Sequence, residues 1–225
     1  MASNARLMCI QCVFRHVSSG PSFDSSAPRG ARSPVDAEPE EETVMNHDSL
    51  DTFSEAIQAA WSPLDSALVA HARAALARLL VAPASEEWRR ALVEDAPESR
   101  ELVRDPSHGY VLLAHTEPTG LYRPPHDHGR GWVAYGVLRG ELEMRTYRRV
   151  HDLRGGAYLV QRESFTLRPG DVRVFLPGDI HDTRCLSGPS LLFRFTERDL
   201  KQEDQEAHRV TRYVERDGVW TVGPA

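Results

Sequence analysis

Residues 124–147 have the sequence PPHDHGRGWVAYGVLRGELEMRTY, and residues 169–181 have the sequence PGDVRVFLPGDIH. Both stretches alternate short runs of β-branched and aromatic residues with turn signals such as Arg139-Gly140 and Pro177-Gly178-Asp179. The same period of two predicts strands over residues 110–114, 132–138, 142–147, 172–176 and 190–196. Many short strands with regular turns indicate a mainly β chain folded as an antiparallel barrel or jelly roll.

Residues 48–97 have a helical pattern instead. Ser62 followed by Pro63 is typical of an N-cap and first-turn pair, and Ser85 is placed to open a second helix. Apolar residues at spacings of three and four predict one buried helical face, namely Leu64, Leu68, Ala72, Ala75 and Leu79. We therefore predict a helical cap over residues 48–97, packed on a barrel formed by residues 98–225.

Residues 1–47 are predicted to be a disordered tail, or an over-extended start with translation beginning at Met45. Residues 18–34 are rich in Ser, Pro, Gly and Arg, and an acidic run follows them. The arginine-rich composition of the first 35 residues also suits an organellar transit peptide. Cys9, Cys12 and His16 offer three ligands without a folded frame, which is too little for a structural zinc site.

Composition excludes several classes of function. The chain has 225 residues, of which 40% are hydrophobic and 27% charged, as in a soluble globular protein. A net charge of -6 argues against a nucleic-acid partner, and no apolar run approaches the roughly 20 residues that a membrane-spanning helix needs. Three cysteines make no disulfide framework, so a reducing cytoplasm is the expected location. The sequence leaves the oligomeric state open.

Three histidines are the candidate metal ligands. His126 and His128 are two residues apart, so on a strand both imidazoles point to the same side. His181 follows directly on the Pro177-Gly178-Asp179 turn at the end of another predicted strand. Imidazole nitrogens are common ligands of divalent metals, and the pattern predicts one shared ion.

The ordered features His126-x-His128, Gly140, Gly170 and Pro177-Gly178-x-x-His181 resemble the paired motifs of the cupin superfamily. This resemblance covers residues 110–195 and implies a double-stranded β-helix that holds a metal through the three histidines. Cupins usually add a Glu five residues after the second His, and Val133 stands there instead. An all-imidazole site leaves the charge of the ion uncancelled and favours anionic donors such as thiolate, which suits iron(II), although another divalent metal is possible.

The three-His set, together with residues 100–106 (RELVRDP), resembles the thiol dioxygenases of the cysteine dioxygenase type. The resemblance implies an Fe2+-dependent oxidoreductase that uses O2 to convert a small thiol carrying a carboxylate, such as cysteine or 3-mercaptopropionate, into a sulfinate. In that family an Arg grips the carboxylate, and Arg100 matches by position, with Arg104 as the alternative. Tyr135 shares a face with Val133, so it either lines the pocket with its hydroxyl or is a core aromatic.

The chain also departs from that family. Animal members have a Cys at the position of Val133, cross-linked to a Tyr. The nearest positions here to the late-strand Ser-x-His-x-Tyr of the family are Leu191, Phe193 and Phe195, which form no hydrogen bonds through their side chains. Two alternatives therefore stand beside the dioxygenase: a non-catalytic metal- or ligand-binding cupin module, and another metallo-cupin enzyme such as an isomerase.

Overall fold

A computed structural model describes residues 47–153 and 155–223, so the predicted tail lies outside the described residues except for His47. Three α-helices come first: α1 Ser49–Ala60, α2 Ser66–Leu80 and α3 Glu87–Asp95. A short π-helix, Gln202–Glu206, precedes the last two strands. None of the described helices is long and apolar enough to cross a membrane. The strands are β1 Ser99–Arg104, β2 Val111–Glu117, β3 Tyr122–His126, β4 Val133–His151, β5 Ala157–Leu167, β6 Val172–Phe175, β7 Ile180–Thr196, β8 Tyr213–Arg216 and β9 Val219–Val222.

The helices begin later than their sequence signals predict. The Asp65 side chain, and not Ser62, caps α2 by accepting a hydrogen bond from the Leu68 backbone N at 2.8 Å. The Ser62 hydroxyl instead donates to the Pro63 carbonyl, so it has no free role at a helix end. Similarly, α3 follows Glu86 and not Ser85. An aspartate three residues before a free helical N–H satisfies that donor as well as a serine does.

The predicted helical face packs on one side of the sheet. Leu68, Ala72, Ala75 and Leu79 are buried, whereas Leu64 is 45% exposed because it precedes the first turn of α2. The buried helical residues share a core with side chains from β2 and β7, including Leu112 and Phe193. This core holds the three helices against the outer face of the sheet.

All strand pairs are antiparallel, in the order β1-β2-β7-β4-β5-β9-β8, with β3 added to β7 and β6 added to β4. The two longest strands, β4 and β7, each pair with different strands along their length. The first part of β4 pairs with β6 and the last part of β7, and the second part of β4 pairs with β5 and the first part of β7. The sheet therefore curls on itself, and the predicted mainly β fold of antiparallel strands with N-terminal helices is confirmed.

The structure corrects the predicted turn at Arg139-Gly140. β4 continues through it, so the predicted strands 132–138 and 142–147 are one strand. The pairing of β4 with β7 changes register around Gly140, which has a φ of 84°. A side chain there would bring its Cβ within 2.2 Å of Ser190 Oγ, so the strand bends where only glycine fits.

Candidate metal centre

The structure brings His126, His128 and His181 together. His126 ends β3 and pairs across the strands with His181 near the start of β7. His128 lies just beyond the end of β3, so it is not on the strand as predicted, yet its ring still converges on the other two. One ligand atom from each histidine lies within 4.8 Å of the others. His128 and His181 are buried, at 3% and 0% exposure.

The spacing of the rings fits a divalent ion. The Nε2 atoms of His128 and His181 are 3.4 Å apart. Two nitrogens that each lie about 2.1 Å from one ion at a tetrahedral angle are separated by about 3.4 Å. The Nδ1 of His126 is 2.8 Å from the Pro124 carbonyl, to which it donates its proton, so the Nε2 lone pair of this ring is free for a metal.

Burial keeps the three imidazoles neutral, which metal ligation requires. It lowers the pKa of His126, and it lowers the pKa of His128 and His181 well below the ordinary range for histidine. The neighbouring imidazoles lower the pKa of His128 and His181 further. Phe175 stacks on the His181 ring, with centroids 3.9 Å apart and planes 18° from parallel, and so fixes the orientation of that ligand.

The position expected to hold a carboxylate is apolar. Val133 is completely buried in the core on the inner face of the sheet, beside Tyr135 and Leu192. Within residues 47–153 and 155–223, the group that includes these three histidines contains no Asp, Glu or Cys. The site is therefore built from imidazole alone.

Tyr135 points toward the metal centre from the inner face of β4. Its hydroxyl oxygen is 3.4 Å from Nε2 of His128, and the residue is 6% exposed. Burial raises the pKa of the phenol, against the opposing positive charge of Arg194. The hydroxyl thus stays protonated at neutral pH, beside the place where a metal ligand would sit. A catalytic role for Tyr135 remains a prediction.

A cavity of about 600 Å³ lies beside the three histidines and is lined by His126 and His128. Leucines on the inner face form its apolar part, and His115, Glu117, Arg123 and Arg194 form a polar wall. Val210, Arg212, Tyr213 and Val214 line one side, and the Thr211 N–H attaches this segment to Asp127 by donating to its Oδ1 at 2.8 Å. The metal centre therefore lies in a partly enclosed space and not on an open surface.

Neither arginine predicted to bind substrate lines this cavity. Arg100 lies on the edge strand β1 and pairs with Asp95, with Nη2 to Oδ2 at 2.8 Å. Arg104 pairs with Glu101 and Asp199. Nearby carboxylates on the outside of the fold thus occupy both guanidinium groups, and the structure does not place Arg100 with the histidines.

On β7, the residues that face the cavity are one position away in sequence from the residues predicted to do so. Leu191, Phe193 and Phe195 pack outward into the helical core, whereas Leu192 and Arg194 line the cavity. The register shifts in the β4–β7 pairing explain the error, since they change which residues face inward between Cys185 and Leu192. Arg194 Nε is buried and has no hydrogen-bond partner among the described residues. Sequence reasoning therefore missed Arg194.

Sequence reasoning also missed His115. It lies on β2, is half-buried and lines the cavity. Burial lowers its pKa to about 4, helped by the charges of Arg194 and Arg123. Because side chains alternate along β2, His115 faces the same side of the sheet as Glu117. The sequence would have indicated this if the predicted strand had extended to residue 117. Cys185 is a buried free cysteine.

Comparisons with known proteins show similarity of fold only. No protein-family model matches the sequence, and a search of curated proteins found no match. Among solved structures, KdgF from Halomonas sp. is 21% identical, with 44% of this chain and 79% of that one aligned at a TM-score of 0.36. The cupin domain of Cnp3 from Schizosaccharomyces pombe is 12% identical, with 49% and 69% aligned at 0.35. The DMSP lyase DddQ from Ruegeria pomeroyi is 22% identical, with 46% and 47% aligned at 0.35. Similarities this low say nothing about chemistry, so the metal centre stands on its own geometry.

Proposed function

We propose that this chain is a metal-binding cupin and an Fe2+-dependent thiol dioxygenase, which oxidises a small thiol carrying a carboxylate to a sulfinate with O2. The observation that carries the proposal is the all-imidazole ligand set of His126, His128 and His181 beside an interior cavity. The resemblance of the sequence to cysteine dioxygenase-type enzymes supports it.

The ligand set favours a substrate with an anionic sulfur. Three neutral imidazoles leave both charges of a divalent ion uncancelled, and a thiolate would cancel one of them in a site of low polarity. Bound Fe2+ would supply the redox chemistry and the open positions at which sulfur and dioxygen are brought together. Val133 keeps a carboxylate of the protein from competing for those positions.

Arg194 takes the role that the sequence suggested for Arg100. Its side chain lines the cavity and its Nε has no partner among the residues the structure describes. It pairs across the strands with Tyr135, and both residues line the same cavity as His128. A guanidinium group offers parallel N–H donors that match a carboxylate. Arg194 would therefore hold the carboxylate of a thiol whose sulfur faces the histidines.

Tyr135 supplies a proton donor beside the same centre. Its hydroxyl group remains protonated because burial raises its pKa, and it lies within reach of His128. In this position it would donate a hydrogen bond to negative charge that develops on the reacting atoms. The hydrogen bond from Thr211 N to Asp127 Oδ1 holds the segment around Thr211 beside the same cavity.

An oxygen electrode tests the proposal directly. Protein loaded with Fe2+ is mixed with cysteine, 3-mercaptopropionate and cysteamine, and the product is identified by mass spectrometry. We expect O2 uptake and a sulfinate with a thiol that carries a carboxylate, and loss of both in His126→Ala. Iron-loaded protein that consumes no O2 with any of the three would overturn the proposal.

One observation favours a second candidate, a metal- or ligand-binding cupin module without turnover. The inner positions near the end of β7 are Leu192 and Arg194, and neither is the His or Tyr that the thiol dioxygenases place on their late strand. Such a module would bind the metal and a thiol with unchanged affinity under air and would form no product. Carbon-substrate chemistry, the third possibility, requires O2 uptake or isomerisation with a substrate that has no sulfur.

A further inference from the structure

We propose that His115 and Glu117 form a second subsite on the cavity wall, which accepts hydrogen bonds from an N–H group of a thiol of dipeptide size. The inference deepens the proposed function, because it names the substrate class for the same cavity. It depends on that function only for the attachment of the sulfur at the histidines.

Both residues present unsatisfied acceptors to the cavity. They are two apart on β2, so they share a face, and both line the cavity. Oε2 of Glu117 and Nε2 of His115 are buried and have no hydrogen-bond partner in the described part of the chain. A buried polar atom without a partner costs free energy, and a ligand that donates to it recovers that cost.

Glu117 is held in place for this role. Its Oε1 accepts a hydrogen bond from Nε of Arg123 at 2.9 Å, and the residue is only 4% exposed. One carboxylate oxygen is therefore engaged, and the rotation of the group is restricted. The other oxygen is left as an oriented acceptor for an amine or an amide.

His115 is an acceptor for a separate reason. Burial lowers its pKa to about 4, and the positive charges of Arg194 and Arg123 lower it further, so the ring is neutral. When the single proton of the neutral ring is on Nδ1, the buried and unpartnered Nε2 is the nitrogen that accepts.

The position of the subsite implies a ligand longer than cysteine. On β7, Leu192 lies opposite His115 and Ser190 lies opposite Glu117, so the two acceptors are offset from Arg194 by two and four residues. These offsets correspond to roughly 7 and 13 Å of strand. The amine and the carboxylate of cysteine are bonded to the same carbon, so a ligand that reaches from Arg194 to these acceptors is longer than cysteine.

A peptide group has a donor and an acceptor that match the side chains of the cavity wall. Arg194 pairs with Tyr135 on β4 and with Leu113 on β2, two residues before His115, and it lines the same cavity as His115. A ligand with a carbonyl or carboxylate at Arg194 and an N–H beyond it satisfies all three side chains. The cavity of about 600 Å³ is large enough for a molecule of this kind.

Binding to Zn2+-loaded protein tests the inference without turnover. Isothermal titration calorimetry compares cysteine and 3-mercaptopropionate with cysteinylglycine and γ-glutamylcysteine. We expect at least one dipeptide to bind ten times more tightly than cysteine. The preference should shrink to less than threefold in Glu117→Gln and in His115→Phe, and it should persist in Glu163→Gln, which changes an exposed Glu on β5.

Each result decides the matter. Equal affinity of wild-type protein for cysteine and both dipeptides overturns the inference, whatever the variants do. A preference that survives both Glu117→Gln and His115→Phe also overturns it, and circular dichroism establishes that the variants are folded. Should a variant not fold, the comparison of ligands on wild-type protein still decides.

The outcome is separable from that of the proposed function. Tight dipeptide binding without O2 uptake by the Fe2+-loaded protein would overturn the dioxygenase and leave the subsite standing. Turnover of cysteine without any preference for a dipeptide would do the reverse.

Discussion

Nε2 of His128 and Nε2 of His181 lie 3.4 Å apart, although the two residues are 53 positions apart in the chain. The contact joins the loop after β3 to the start of β7, in the interior of the curled sheet. Both rings are buried, and Nδ1 of each has no partner among the described residues. Without an ion, the fold must hold two buried, poorly satisfied rings against each other, so a metal should stabilise the fold as well as bind to it.

Metal binding should therefore raise the melting temperature and depend on each histidine. Wild-type protein should bind one divalent ion per chain, measured by plasma mass spectrometry, and melt several degrees higher with it. His181→Ala should lower the affinity at least a hundredfold and abolish the thermal shift. His151→Ala, which removes an exposed histidine at the end of β4, is the control and should leave both unchanged. Full metal occupancy in His181→Ala would contradict the site.

Stability should fall as the solution becomes more acidic. The pKa of His115 is lowered to about 4, and the pKa values of His126, His128 and His181 are also lowered. The unfolded chain, with ordinary values near ~6.5, then binds protons that the folded chain does not. The histidine contribution to stability is thus complete above pH ~6.5 and is lost as the pH falls toward 4.

Thermal melts of metal-free protein between pH 7.5 and 4 measure this loss. The slope of melting temperature against pH should be shallower in His115→Phe than in wild-type protein, because one of the four groups no longer titrates. An equal slope in the two proteins would show that His115 is not buried as a neutral ring.

Removing the Tyr135 hydroxyl should reduce turnover and leave metal binding intact. Tyr135→Phe keeps the ring in its buried position and deletes only the group 3.4 Å from His128 Nε2. Loss of a positioned proton donor typically costs roughly 100-fold in rate, so kcat should fall by that order with little change in KM. Steady-state O2 uptake by iron-loaded protein at varied thiol concentration measures the effect, and an unchanged kcat would make Tyr135 a core aromatic only.

The roles of Arg194 and Arg100 can be distinguished by comparing thiols with and without a carboxylate. Arg194→Met should weaken the binding of 3-mercaptopropionate roughly 30-fold or more and leave cysteamine, which has no carboxylate, unaffected. Arg100→Met should leave both unchanged, because its guanidinium pairs with Asp95 on the edge strand. Titration of Zn2+-loaded protein provides the affinities. The opposite pattern would restore the role that the sequence suggested for Arg100.

The sequence was sufficient to select the three histidines that the structure brings together, because local patterns mark them. His126 and His128 form a His-x-His pair, His181 follows the Pro177-Gly178-Asp179 turn, and Val133 is identified by counting from His128. The buried face of the helices could also be predicted, because its residues have the regular spacing that a helix imposes. The exact caps could not, because they depend on which of several polar side chains reaches a free backbone N–H.

The polar wall could not be predicted because it depends on long-range pairing. Whether Arg194 or Phe193 faces inward is decided by the register of β7 against β4, which shifts around Gly140. The inward direction of Arg194 is therefore a property of the folded sheet and not of any local pattern. Arg100 is a different case, because Asp95, which pairs with it, is only five residues earlier in the chain.

The final prediction concerns Gly140, because the bend of β4 depends on this residue. A Cβ at this position would lie 2.2 Å from Ser190 Oγ and 2.8 Å from the Ser187 carbonyl oxygen, with φ at 84°. Gly140→Ala should therefore destabilise the protein by roughly 3 kcal/mol, from overpacking and backbone strain together. Gly170→Ala is the matched control. Its φ is 93° but nothing lies within 4 Å of the added Cβ, so only strain of about 1 kcal/mol is expected. Urea unfolding measures both, and equal losses would show that the close approach of β4 to Ser190 does not require glycine.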